Sequence, residues 1–238
     1  MEGLFGGVNR ATERTLEANG YALADAPGQR CCGALHAHAG DAHTARRLAK
    51  ANIVSFERSG AQFVAVNSAG CGAMMKEYTH LLRDEPAWRD RAAAFSGTVR
   101  NISELLATAG PRPGGRLPLR VAYDAPCHLL HGQRVASQPL AVLAAIPGLE
   151  LLPLEDSEQC CGGAGIYNLV EPEISHQVLD SKLANVEASG AAVVATGNPG
   201  CLMQIGAGLL RAGRRTQLRH PVELLDESYS GLSAHATI

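Results

Sequence analysis

Two stretches of the chain carry mainly apolar residues at helical spacing, each ahead of a short apolar run. The residues that share a face are Ala45, Leu48, Ala49, Asn52, Ile53 and Phe56 in the first stretch and His176, Leu179, Leu183 and Val186 in the second. Spacings of three and four residues place side chains on one side of a helix. The pattern therefore predicts an amphipathic helix before each apolar run.

Shorter patterns of the same kind predict further helices and the strands between them. The helices are expected over residues 11–19, 73–82, 101–109, 139–145, 202–211 and 222–228. The strands are expected near residues 21–24, 63–67, 119–123, 150–154 and 192–196, and turn-forming residues follow several of these runs. Helices that alternate with short strands are typical of an α/β protein with mainly parallel sheets.

A Cys-Cys-Gly motif occurs in each half of the chain, beginning at Cys31 and at Cys160. A Gly-Cys motif follows the second cysteine of each pair after 39 or 40 residues, at Cys71 and Cys201. Cys127 precedes the second Cys-Cys-Gly motif by 33 residues, and the same step back from Cys31 falls before the first residue. We therefore expect a duplicated thiolate site whose first copy is truncated at its N-terminus.

The sequence around the cysteines repeats as well. Residues 59–71 and 189–201 each contain an apolar run and a turn of small residues that ends in Gly-Cys. Residues 110–116, between the copies, are rich in Pro and Gly, which end helices and resist strand formation. The sequence predicts two pseudo-repeated lobes, residues 1–110 and 111–238. Their cysteine loops should lie at the C-terminal ends of strands, where open α/β sheets bind ligands.

The composition of the chain argues against several classes of function. The chain has 238 residues, 46% of them hydrophobic, and a net charge of −2 with both signs interspersed. This balance gives no sign of a nucleic-acid partner. No apolar stretch approaches the length of a membrane span and no export signal opens the sequence, so we expect a cytoplasmic location. Seven cysteines in such a chain favour metal ligation over disulfides.

Adjacent cysteines can face one metal centre only if the backbone bends between them, because successive side chains in an extended segment point to opposite faces. A following glycine permits that bend, since it tolerates positive φ. Soft thiolates from separate loops suit an iron–sulfur cluster or zinc. Zinc usually takes Cys-x-x-Cys pairs, which are absent, and buried structural cysteines are the remaining alternative. The candidate ligands are Cys31, Cys32, Cys71, Cys127, Cys160, Cys161 and Cys201.

Four histidines lie beside the cysteine motifs. His36 and His38 follow the first Cys-Cys-Gly motif, and His128 and His131 follow Cys127. One expectation is that these histidines donate hydrogen bonds to cluster sulfurs or supply the ligand missing from the first copy. The other is that they are ordinary loop histidines. Histidines without a motif are expected at the surface, namely His43, His80, His176, His220 and His235.

The cysteine arrangement resembles the cysteine-rich CCG domain. That domain is shared by heterodisulfide reductases and by the iron–sulfur subunits of flavin-linked 2-hydroxy-acid and glycerol-phosphate oxidoreductases. The segments 33–40, 124–133 and 167–175 are most similar to the glycolate oxidase iron–sulfur subunits. The resemblance covers almost the whole chain.

This resemblance implies electron transfer in a flavin-dependent glycolate, or 2-hydroxy-acid, dehydrogenase complex. The cofactor would be an iron–sulfur cluster of the 4Fe–4S type, and flavin would be bound by partner subunits. No Gly-x-Gly-x-x-Gly motif follows a strand, so the chain is not expected to be a complete enzyme alone. Related subunits also carry an N-terminal ferredoxin-like segment, which is missing here. The complex could attach the chain peripherally to the inner membrane.

Three alternatives remain open from the sequence. A thiol–disulfide reductase subunit of the heterodisulfide type would use a fifth cysteine in each copy, but Met74 and Gln204 stand at those positions. A lactate-oxidising iron–sulfur subunit would share the same cysteine pattern. A scaffold fragment that binds zinc, or no cluster, would belong to a different functional class.

Overall fold

The computed structural model describes residues 2–231, which form two sheets of parallel strands. Strands β1 (Val64–Val66) and β2 (Val99–Asn101) pair in the first sheet. The second sheet contains β3 (Arg120–Tyr123), β4 (Glu150–Leu152), β5 (Val193–Ala195) and β6 (Gln217–Arg219) in the order β4-β3-β5-β6. The predicted α/β class with parallel sheets is therefore confirmed.

Helices connect the strands, as parallel pairing requires. They are α1 (Glu2–Ala18), α2 (Ala34–His38), α3 (Ala42–Ser59), α4 (Ala69–Lys76), α5 (Tyr78–Leu81), α6 (Pro86–Thr98), α7 (Ile102–Ala109), α8 (Ser137–Ala144), α9 (Tyr167–Val170), α10 (Pro172–Ser189), α11 (Pro199–Arg211) and α12 (Pro221–Ser230). A π-helical turn spans His128–Gly132. None of the helices among residues 2–231 has the length and apolar character to cross a membrane.

The same order of elements occurs in both halves. Helix α3, strand β1 and helix α4 follow one another in the first half, as α10, β5 and α11 do in the second. Both α3 and α10 have 18 residues and end at a left-handed glycine, Gly60 (φ 66°) or Gly190 (φ 63°). Ser59 and Ser189, just before these glycines, each donate to the carbonyl three residues earlier. Local structure is thus repeated down to the helix ends.

The largest core joins the two halves. Helices α1 and α7 contribute Val8 and Leu105, which lie in one apolar cluster with Val121 of β3, Val193 of β5 and Leu225 of α12. A second cluster lies among α3, α4 and α6, and a third lies between α10 and α11. The predicted lobe boundary at residue 110 stays a prediction, and the halves share their main core.

The pattern of apolar residues was wrong about one strand and missed others. Residues 21–24 form no strand, and the Tyr21 hydroxyl instead donates to the carbonyl of Leu105. Strands β2 and β6 were not predicted, because each has only three residues and includes an arginine. The sequence also predicts a frayed C-terminal tail over residues 231–238, and all of these residues except Gly231 lie outside the described part of the chain.

Candidate metal centre

Four cysteines of the second half come together where three loops meet. Cys127 follows β3, Cys160 and Cys161 lie within the long loop between β4 and α9, and Cys201 lies in the first turn of α11. The Sγ atoms of Cys161 and Cys201 are 3.4 Å apart. Cys160 accepts hydrogen bonds from the thiols of both Cys127 and Cys161. Loops far apart in sequence therefore bring four sulfurs into one group, called here the four-cysteine set.

One sulfur of the four-cysteine set is prepared to ionise first. Hydrogen bonds from Cys127, from Cys161 and from the backbone N–H of Gly162, 3.4 Å away, hold the pKa of the Cys160 thiol well below its usual value. The pKa values of Cys127 and Cys161 are raised, because Cys127 interacts with Cys160, Cys161 interacts with Cys160 and Cys201, and both thiols are shielded from water. A metal bound here would displace the remaining protons, so its affinity should rise with pH.

Both Cys-Cys-Gly motifs bend at their glycine, as the sequence predicted. Gly33 has φ 85° and Gly162 has φ 84°. A Cβ atom at position 162 would lie 2.4 Å from the carbonyl oxygen of Ser175. Glycine is therefore required at position 162 both for its backbone conformation and for space.

A buried lysine holds the loops of the four-cysteine set. The Nζ atom of Lys182, on α10, lies 2.9 Å from Oδ1 of Asp124, and the two side chains are 0% and 2% exposed. It also donates to the carbonyls of Asp156 at 2.7 Å and Ser157 at 3.2 Å. Asp124 precedes Cys127 by three residues, and Ser157 leads to the Cys-Cys-Gly motif. Burial raises the pKa of Asp124, and the ammonium of Lys182 opposes that shift.

The three cysteines of the first half form a smaller group, called here the three-cysteine set. Cys71 accepts a hydrogen bond from the Cys32 thiol, and this bond together with the Ser68 hydroxyl lowers the pKa of Cys71 to about 6, although burial acts in the opposite direction. The same bond raises the pKa of Cys32, which is buried. Cys31 is exposed.

Asn52 takes the position in the three-cysteine set that Lys182 takes in the other. The two residues are 130 positions apart, the same separation as the two Gly-Cys motifs. The Asn52 amide donates to the carbonyl of Cys31 at 3.1 Å and to the hydroxyl of Tyr78 at 3.0 Å. That hydroxyl in turn donates to the carbonyl of Cys32 at 2.8 Å. A neutral amide and a phenol thus support the first pair of cysteines.

The two sets meet across a short contact between the halves. The backbone N–H of Ala69 donates to the carbonyl of Gly197 at 3.1 Å. The next N–H, that of Gly70, donates to Oδ1 of Asn198 at 3.1 Å. The amide nitrogen of Asn198 donates to the sulfur of Cys201 at 3.4 Å. One side chain therefore touches a ligand candidate of one set and the backbone beside Cys71 of the other.

Two of the four motif histidines lie at the same contact. The rings of His38 and His128 are 6.0 Å apart, and Nδ1 of His128 is 3.7 Å from the Cys127 sulfur. Burial and the neighbouring His38 lower the pKa of His128. His36 instead pairs with an exposed aspartate at 3.2 Å, and His131 is exposed in the π-helical turn. A role for these histidines beside a cluster stays a prediction.

The cysteine-rich CCG domain model matches the chain twice, over residues 1–76 and 121–206. The chain belongs to the CCG family. The predicted resemblance is thereby confirmed, and each match contains one Cys-Cys-Gly motif and one Gly-Cys motif.

Curated proteins with two different names are similar to this CCG chain. It is 40% identical over 233 residues to the "Probable glycolate oxidase iron-sulfur subunit" of Bacillus subtilis (strain 168), covering 96% of the chain and 52% of that protein. The chain thus spans about half the length of that relative. It is 30% identical over 226 residues to "Lactate utilization protein A" of Exiguobacterium sp. (strain AT1b), covering 94% and 92% respectively. The protein of the same name from B. subtilis is 30% identical over 221 residues.

The thiols of the CCG motifs fit an iron–sulfur cluster better than a single ion. Among residues 2–231, no group of three or more His, Cys, Asp or Glu side chains is arranged to hold one metal ion. The four sulfurs are connected pairwise, from Cys127 through Cys160 and Cys161 to Cys201. A four-iron cluster takes one thiolate on each iron, so its ligands need not converge on one point.

Several residues of the site were missed by reasoning from the sequence. Lys182 and Asn198 belong to no motif, although Lys182 lies on the apolar face of a predicted helix, where a lysine is unusual. Asn52 lies on the predicted buried face of the first helix, but the sequence did not indicate its hydrogen bonds to Cys31 and Tyr78. The signal that could have identified both Asn52 and Lys182 is a polar residue on a face predicted to be buried.

The expected surface position of His220 was wrong, because this residue is 2% exposed. Its Nδ1 accepts from the backbone N–H of Val222 at 3.1 Å, which caps α12. Its Nε2 donates to the carbonyl of Asn67 at 2.9 Å. Burial lowers the pKa of His220 to about 4. His235 lies outside the described residues.

Proposed function

We propose that this chain is the iron–sulfur electron-transfer subunit of a flavin-dependent glycolate, or 2-hydroxy-acid, dehydrogenase complex. The observation that carries the proposal is the assembly of Cys127, Cys160, Cys161 and Cys201 from three loops. The B. subtilis relative named as an iron–sulfur subunit of glycolate oxidase supports the same interpretation.

In this proposal the four-cysteine set holds a 4Fe–4S cluster, which supplies one-electron storage when bound. Cys161 and Cys201 are buried and would shield one side of it, whereas Cys127 and Cys160 are partly exposed. An electron would therefore enter or leave on the side of Cys127 and Cys160. The three-cysteine set offers one thiolate fewer among the described residues, and it would hold a cluster only weakly.

The partners in this proposal are flavin-bearing subunits that oxidise the hydroxy acid. A ferredoxin-like segment would pass electrons onward, and the greater length of the B. subtilis relative is compatible with such an additional part. The complex would work in the cytoplasm or at the inner face of the membrane.

A lactate-oxidising complex is the second candidate. The observation that favours it is the set of relatives named "Lactate utilization protein A", to which the chain is 30% identical over 226 residues in Exiguobacterium and over 221 residues in B. subtilis. Both candidates use the same cysteines and differ in the flavin-bearing partner.

Anaerobic purification followed by iron, sulfide and zinc analysis tests the cluster. We expect about four irons and four sulfides per chain. The reduced protein should show the electron paramagnetic resonance signal of an iron–sulfur cluster. One zinc per chain, with no sulfide, would replace the electron-transfer proposal with the scaffold alternative.

The substrate is tested with the complex isolated from the source cells through an affinity tag on this chain. Glycolate should bleach the visible absorption of the cluster within the complex, because electrons from the flavin would reduce it. Bleaching by lactate alone would assign the chain to the second candidate.

A further inference from the structure

Asn198 occupies a helix start but does not cap its own helix. It precedes α11 with extended dihedrals, φ −142° and ψ 122°, and its side chain accepts no bond from the first turn of α11. An asparagine at this position normally accepts a hydrogen bond from the second or third N–H of the helix it begins. The oxygen and the nitrogen of this amide make other hydrogen bonds.

The oxygen end of Asn198 caps a helix in the other half of the chain. Its Oδ1 accepts from the N–H of Gly70 at 3.1 Å, and Gly70 is the second residue of α4. The preceding N–H of α4, that of Ala69, is taken by the carbonyl of Gly197. Residues 197 and 198 thus satisfy the first two N–H groups of α4, which begins two residues before Cys71.

The nitrogen end of Asn198 donates to a sulfur. Its Nδ2 lies 3.4 Å from Sγ of Cys201, the third residue of α11. The equivalent residue in the first half is Ser68, 130 positions earlier, which precedes α4 and whose side chain also accepts no capping hydrogen bond from the backbone of its own helix. The Ser68 hydroxyl interacts with the sulfur of Cys71 and lowers its pKa. Both halves therefore direct the residue before the helix to the cysteine three positions later.

We infer that Asn198 is a positioning residue with two separable roles, one toward the sulfur of Cys201 and one toward helix α4 of the other half. The inference rests on the proposed function, in which Cys201 is a ligand of the cluster. The amide N–H raises the reduction potential of that cluster. The amide oxygen fixes the two cysteine sets relative to each other.

The direction of the first role follows from charge. Reduction adds an electron to the cluster, and a donor aimed at a ligand sulfur stabilises the more negative state. Removing the donor should therefore favour the oxidised form. One net hydrogen bond corresponds to about a fivefold change in the reduction equilibrium, or about 40 mV for a one-electron couple.

Three substitutions at this position separate the two roles. Asn198→Ala removes both the donor and the acceptor. Asn198→Asp keeps an oxygen for Gly70 but, as a carboxylate, donates nothing to Cys201. Asn198→Ser keeps a hydroxyl donor, as Ser68 does in the first half, but is too short to reach the N–H of Gly70. Ser68→Ala is the matched control, because its hydroxyl serves the three-cysteine set.

The experiment measures midpoint potential by redox titration, together with thermal unfolding, on protein loaded with its cluster. In the Asn198→Ala and Asn198→Asp variants the midpoint potential should fall, so that the equilibrium constant for reduction is lower by about fivefold or more. The fall should be larger in Asn198→Asp, because aspartate adds a negative charge. Asn198→Ser should stay within about twofold of the parent potential. Thermal stability should follow a different order, with Asn198→Asp retaining more of it than Asn198→Ser or Asn198→Ala.

The outcomes are distinct. A parent protein that binds no iron and sulfide overturns the proposed function, and this inference with it. A loaded parent whose potential is unchanged by all three substitutions overturns the inference alone. Potentials that fall in step with thermal stability also overturn it, because a purely structural cap would produce that correlation. A shift in Ser68→Ala equal to that in Asn198→Ala would show that the effect is not specific to Cys201.

Discussion

Lys182 and Asp124 form an ion pair, with Nζ and Oδ1 2.9 Å apart, and both side chains are almost wholly shielded from water. Such a pair gains little over an apolar replacement, but breaking it leaves one charge buried and alone. The pair also connects α10 with the loops that carry Cys127 and the second Cys-Cys-Gly motif. The ion pair is therefore expected to hold the geometry of the four-cysteine set.

Replacement of Lys182 by methionine should destabilise the protein by about 3 to 5 kcal/mol, because the carboxylate of Asp124 loses its buried cation. Denaturant unfolding under reducing conditions measures this. The double variant Lys182→Met/Asp124→Asn should lose less than the sum of the two single variants.

Lys50→Met is the matched control. Lys50 pairs with Glu85, but these side chains are 29% and 31% exposed, so the loss should stay below about 1 kcal/mol. A Lys182→Met variant as stable as Lys50→Met would contradict the structural role assigned to the buried pair.

Serine substitutions should distinguish the two cysteine sets. Cys160→Ser or Cys161→Ser should remove most of the bound iron, because the four-cysteine set then has three thiolates. Cys31→Ser or Cys32→Ser should remove little, because the three-cysteine set is expected to hold little iron. Iron and sulfide per chain are measured after anaerobic purification. Equal losses from all four variants would show that the assignment of the main cluster is wrong.

Alanine at Gly162 should cost more than alanine at other glycines with the same backbone conformation. Gly162 and Gly28 have φ 84° and 90°, so alanine at either position should lower the free energy of unfolding by about 1 to 2 kcal/mol because of the left-handed backbone. Only at position 162 would the new Cβ meet an atom, the carbonyl oxygen of Ser175 at 2.4 Å, while nothing lies within 4 Å at Gly28. Gly162→Ala should unfold earlier than Gly28→Ala and lose iron. Comparable stability and iron content in both would argue against the close contact.

His220 should make stability depend on pH between about 6.5 and 4. Its folded pKa is lowered to about 4, so the unfolded chain binds the proton more readily in this range. The contribution of His220 is fully present above pH about 6.5 and is lost as pH falls toward 4, by about 3 kcal/mol. Protonation would remove the acceptor that caps α12 at the N–H of Val222.

The control for this prediction is His220→Asn, since asparagine is a good N-cap residue and does not titrate. Unfolding free energies of both proteins are compared from pH 7.5 to 4.5 at equal iron content. The difference between the proteins should shrink or reverse as pH falls. A difference that stays constant across the range would exclude His220 as the titrating group.

The sequence was sufficient to predict where the cysteines gather. Cys127, Cys160 and Cys201 each follow a strand or its loop, and the carboxyl ends of parallel strands meet at one edge of a sheet. Residues that act through burial were not predictable in the same way. A lysine is expected at the surface from its residue type alone, and only the fold shows that Lys182 faces the carboxylate of Asp124.

Strand prediction failed for a related reason. A strand exists only where a neighbour supplies hydrogen bonds, so the apolar residues 21–24 remain irregular. Arg100 and Arg219 lie in strands because β1 and β5 supply hydrogen bonds to them, although a charged residue does not favour the prediction of a strand. Tertiary pairing, which local sequence does not encode, decided these cases.

The shared core has a consequence for anyone who would reuse this domain. Helix α1 lies against α12, and α7 lies against α8, so the apolar faces of the second half are covered by helices encoded in the first. A gene fragment for residues 111–231 would lack both covers and should aggregate when expressed alone. Transplanting the four-cysteine set into another protein would require α1 and α7 to travel with it. The two halves of the chain are therefore parts of one structural unit and are not interchangeable modules.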